Sequence, residues 1–172
     1  MNFDYLISGA VGWVHLMASI LALILGSMVL LLPKGNKLHF IAGRIYAGSM
    51  ILLLVTAFMI FNLFGRWGIF HWAALVSTLT LMLGMIPVIA KMPKLHYLSL
   101  HMSFMYWSVM GLYAAFLAEI FVRIPTMALQ GGIPDKIFYN MAGLGSGIVM
   151  GFAVYYFLKL KPGWDKTFQS GR

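Results

Sequence analysis

The sequence predicts an all-α integral membrane protein: a compact antiparallel bundle of five transmembrane helices, N-terminus outside and C-terminus cytoplasmic. Three observations predict it. The 172 residues are 62% hydrophobic and 9% charged, whereas a soluble domain is about 45–50% apolar and about 25% charged. Five apolar runs each reach the roughly 20 residues that a bilayer crossing needs. The breaks between them are short and rich in turn residues. This composition excludes a disordered chain, which needs low hydrophobicity and high charge. It also excludes a nucleic-acid module, because the 12 basic residues never cluster. Without cysteine there is no disulfide, thiolate metal site or iron–sulfur cluster.

The first run, 5–32, has no Lys or Arg ahead of it and is too long for the core of a cleaved signal, so it reads as a retained helix. Pro33-Lys34-Gly35-Asn36-Lys37 turns the chain into the second run, 38–64. Gly65-Arg66-Trp67-Gly68 leads to the third, 69–90, and Lys91-Met92-Pro93-Lys94 to the fourth, 95–121. The longer segment 122–136 carries Pro125, Gly131-Gly132 and Pro134 and reads as an irregular loop before the fifth run, 137–158. Connections this short make consecutive helices antiparallel neighbours. The expectation is a single transmembrane helical domain over 1–172.

Orientation follows from the basic residues, which collect on the cytoplasmic side. One side holds Lys34, Lys37, Lys91, Lys94, Lys159, Lys161, Lys166 and Arg172, with Arg44 just inside the second helix. The other holds only Arg66, Arg123 and Lys136. The net charge of +8 suits an anionic inner leaflet.

Helices in lipid associate through small residues and scarce hydrogen bonds. In the first helix Ser8, Gly12, His15, Ser19, Ala22 and Gly26 form one such face, which turns His15 inward. In the fourth, His101, Met105, Ser108, Leu112, Ala115 and Glu119 share a stripe. Gly143, Gly147 and Gly151 repeat a small-xxx-small spacing in the fifth, permitting close approach within the bundle or to a second copy as a homodimer.

Ionisable groups inside a membrane are functional candidates by default. At 1.5 Å per residue, His15 stands about 25 Å and His71 about 28 Å from the inner ends of their helices. His39 and His96 stand about 3 Å in, and His101 about 10 Å in. An outer pair (His15, His71) and an inner group (His39 with His101 or His96) suit two b-type haems with paired imidazoles, carrying electrons across the bilayer to or from a quinone or redox partner. Taken singly, His71 and His96 read as interfacial hydrogen-bonding anchors. His15, His71 and Glu119 form an alternative two-histidine, one-carboxylate set for zinc, copper or iron. His39, His96 and His101 could hold zinc as three imidazoles. Glu119 and Arg123 are one turn apart, the spacing of an ion pair. Arg44 either reaches the headgroups or anchors a haem propionate, lipid phosphate or quinone oxygen. A lipid or small-amphiphile binding or transport module is a further alternative, consistent with 14 methionines and 18 glycines.

The run His15…Ala22…Gly26…Pro33-Lys34-Gly35…His39…Gly43-Arg44-Ile45-Tyr46, followed by His101, Met105 and Arg123, resembles a bacterial membrane family described as domain of unknown function 2306. The likeness covers about residues 11–125 and departs at Phe40, where the family has arginine. It implies a multi-pass protein of the bacterial cytoplasmic membrane and no particular reaction. The alternation of histidines is also similar, more loosely, to the di-haem transmembrane cytochrome b superfamily.

Overall fold

A computed structural model of the chain describes residues 9–61, 67–94, 96–128 and 135–169. Among these there are five α-helices and no strand: α1 (Gly9–Leu31), α2 (Lys37–Met59), α3 (Ile69–Ala90), α4 (Tyr97–Ala128) and α5 (Asp135–Gln169). All five are long and apolar enough to cross a membrane. The chain divides into two units, residues 1–82 and 83–172, with the boundary inside α3.

In the first unit α1 packs on α2. The buried side of α1 is Ala18, Ala22, Leu25, Gly26 and Val29, small residues for the most part, while Met17, Ile20, Leu21 and Ile24 are exposed. Burying the small and exposing the large is costly in water and natural in lipid, where close backbone approach drives helix pairing. The turn between the helices is tied at both ends. Lys34 Nζ donates to the carbonyls of Val29 (2.8 Å), Leu30 (2.7 Å) and Leu32 (2.9 Å), which α1 leaves without helical donors at its C-terminus. Burial pulls the Lys34 pKa below the usual lysine value. Gly35 takes φ +81°, a left-handed conformation that glycine adopts without steric cost. Asn36 then caps α2, its side chain accepting from the backbone N–H of His39 at 2.7 Å. The second helix ends at Met59 with Ile60 extended, earlier than its apolar run suggests. The remainder of that run, 62–64, lies outside the described residues.

In the second unit α4 packs on α5. Ser99 meets Lys161, Tyr106 meets Ala153, and Leu117 and Ala118 meet Gly145, so residue numbers rise on one helix as they fall on the other and the pair is antiparallel. Both helices outrun the sequence expectation. The expected irregular loop from 122 is helical as far as Ala128, and α5 continues from Leu158 through Pro162 to Gln169. A proline removes one helical donor without compelling the chain to stop, and here side-chain partners hold the turns around it. Trp164 packs on Tyr106 and Phe157, and Lys161 pairs with Asp165 one turn on. At the end of α3, Met92 N–H reaches back to the carbonyl of Pro87 (3.1 Å) and Lys91 takes φ +53°. This closure is usually made with glycine.

Candidate functional site

The hydrogen bonds sort the histidines by which ring nitrogen carries the proton. On α1, His15 Nδ1 is 3.0 Å from Thr56 Oγ1 on α2. The threonine hydroxyl also lies 2.9 Å from each of the carbonyls of Leu52 and Leu53, which ties this histidine to the backbone of α2 through one side chain. On α4, His101 Nδ1 is 2.8 Å from the carbonyl oxygen of Gly84 on α3. A carbonyl only accepts, so His101 carries a proton on Nδ1. An Nδ1–H directed at a carbonyl or other acceptor is how metal-ligating histidines are usually held, with Nε2 turned to the metal.

His71 is the opposite case. It lies three residues after Gly68, the residue just ahead of α3, and its Nδ1 accepts the Gly68 backbone N–H at 3.2 Å. This is the reciprocal half of a capping box, with imidazole in the role usually taken by glutamate. Because a backbone N–H only donates, the His71 proton is on Nε2, which is buried without an acceptor among the described residues. The ring stands against Phe61 (centroids 4.6 Å apart) and Trp67 (4.9 Å) and is only 5% exposed. In this arrangement His71 presents an N–H, not a lone pair, at Nε2.

The remaining sequence candidates occupy simpler places. His39 begins α2 against the edge of Phe40, and its backbone serves the Asn36 cap. His96 is exposed in the turn that leads into α4. Arg44 is exposed on α2. Arg123 donates to Glu119 Oε1 through Nε (3.0 Å) and Nη2, forming an i,i+4 ion pair. Among the described residues no three His, Asp or Glu side chains gather closely enough to hold a metal ion.

Two features escaped the sequence reading. The fifth helix meets α4 through Gly145, where a Cβ would stand 2.8 Å from the Leu117 carbonyl oxygen and 2.9 Å from Ala118 Cα. Gly143, Gly147 and Gly151 are instead exposed, with nothing among the described residues within 4 Å of an added Cβ. The second feature is a polar tie of Ser99, Lys161 and Asp165. Lys161 Nζ donates to Ser99 Oγ at 2.8 Å and to Asp165, and Ser99 Oγ also donates to Asp165. The Lys161-x-x-x-Asp165 spacing could have signalled it.

No match was found in comparisons with protein-family models, curated proteins or solved structures.

Proposed function

We propose that the chain is a multi-pass membrane protein that binds b-type haem and carries electrons, with His15 as a ligand within the first unit and His101 as a ligand within the second. The observation that carries this reading is their shared anchoring. Each ring is tied through Nδ1 to a neighbouring helix, His15 to Thr56 and His101 to the Gly84 carbonyl, the way haem- and metal-ligating histidines are commonly held. His71, pictured from its depth alone as the partner of His15, would have to release the Gly68 cap and move its proton before it could ligate. Exposed Arg44 suits a haem propionate. Haem held by these histidines would supply one-electron chemistry between a quinol or soluble donor and an acceptor.

The finer placement belongs to the same proposal. The excess of lysines at one set of helix ends puts the C-terminus in the cytoplasm, and the likeness to domain of unknown function 2306 points to a bacterial cytoplasmic membrane. The test is a visible absorption spectrum of detergent-purified protein from haem-replete cells. The wild type is expected to show a Soret band and reducible α and β bands, with the Soret absorbance falling several-fold in His15→Ala and His101→Ala and persisting in His96→Ala. A colourless wild type overturns the reading, and a bound lipid or amphiphile in its place would favour a binding module instead.

A further inference from the structure

The bond that fixes His101 depends on a glycine with no chemistry of its own. Gly84 is buried on α3, and an added Cβ there would stand 2.8 Å from Met105 Sδ, 3.1 Å from Met105 Cγ and 3.3 Å from the Met105 backbone nitrogen. Met105 lies one turn after His101 on the same face of α4. The missing side chain therefore lets α4 come close enough for the His101 ring to reach a backbone oxygen of α3 at 2.8 Å. Three residues on, Pro87 stands inside α3. Its missing N–H leaves the neighbouring Leu83 carbonyl without a helical donor. The Gly84 carbonyl can take a second donor from outside its helix, because it has two lone pairs.

We infer that Gly84, with Pro87 behind it, is a positioning residue: it docks the His101 ring on α3 and thereby holds a proton on Nδ1. The inference rests on the haem reading for its functional meaning but not for its test. A side chain at position 84 pushes α4 outward, lengthens the Nδ1–H bond beyond hydrogen-bonding range and frees the ring to exchange its proton between the two nitrogens. Were haem held by His101, the Nδ1–H bond would support electron donation from its imidazole and so help set the reduction potential.

The test is imidazole nitrogen-15 spectroscopy of the full-length protein in detergent, with His101 assigned by its disappearance in His101→Gln. The wild type is expected to show a protonated Nδ1 and an unprotonated Nε2. Gly84→Val is expected to lose that pattern, and Gly84→Ala to show a mixture. Met105→Ala added to Gly84→Ala removes the nearest atoms and is expected to return the ring most of the way to the wild-type signature, a rescue that general destabilisation would not produce. If Gly84→Val does not fold, Gly84→Ala with and without Met105→Ala decides. A wild-type ring protonated on Nε2, or an unchanged His101 signature in folded Gly84→Ala and Gly84→Val, overturns the inference. Colourless protein with the expected nitrogen signature would sink the haem reading and leave the docking intact, whereas red protein with an unchanged signature in the variants would do the reverse.

Discussion

The two units solve helix pairing at different lengths. In the first, α1 and α2 are 23 residues each, about 34 Å of helix, close to the roughly 30 Å of a hydrocarbon core. In the second, α4 and α5 are 32 and 35 residues, about 48 and 52 Å. The short pair is joined by small residues and by the contact of His15 with Thr56. The long pair adds the Ser99–Lys161–Asp165 cluster near one end and Tyr106 donating to the Ala153 carbonyl, while α4 carries the ion pair Glu119–Arg123 along itself towards its other end. On α4 the cluster and the ion pair stand about 30 Å apart, the thickness of a bilayer's apolar layer. A helix longer than that layer would need polar partners beyond it. In the short pair the turn itself does that work, through Lys34 and Asn36.

Breaking the long pair at its closest approach should give the largest effect. Gly145→Ala places a methyl against the backbone of α4 and is expected to cost about 1–3 kcal/mol, read as a lower denaturation midpoint in mixed micelles. Gly147→Ala, on the exposed side, should stay within about 0.5 kcal/mol of wild type. Equal effects at the two positions would mean that α5 meets α4 by another face. Next comes Lys91, a non-glycine residue at positive φ, for which Lys91→Gly is expected to stabilise by roughly 1 kcal/mol, visible as a higher melting temperature. In the short pair, Thr56→Val removes the hydrogen-bond partner of His15 Nδ1 and should cost about 0.6 kcal/mol, with Thr56→Ser retaining most of it. The smallest effect belongs to the half-exposed pair Glu119–Arg123. Glu119→Gln should cost about 0.3–0.5 kcal/mol, less at high salt, and a multi-kcal loss would show that the pair is buried against something further.

How far the sequence carried the fold follows from what each feature depends on. Five helices are legible because an apolar run of bilayer length has few alternatives. The ends of α4 and α5 are not, because Pro125 and Pro162 are locally helix-breaking and only tertiary partners such as Trp164 on Tyr106 keep the second one helical. The glycine spacing at 143, 147 and 151 marks a regular face, but regularity does not say which face meets a neighbour, and Gly145 between them is the one that does. Histidine spacing along each helix follows from the 1.5 Å rise. The partners of the rings do not, since they are Thr56, Gly84 and Gly68, residues with no chemical signature in a sequence.

The central claim, that His15 and His101 are haem ligands in waiting, is tested most directly by haem content. A pyridine haemochrome assay on purified, full-length protein is expected to return at least one protohaem per chain, falling on replacement of either histidine. A wild-type haem content indistinguishable from zero in protein made with ample haem would contradict the account.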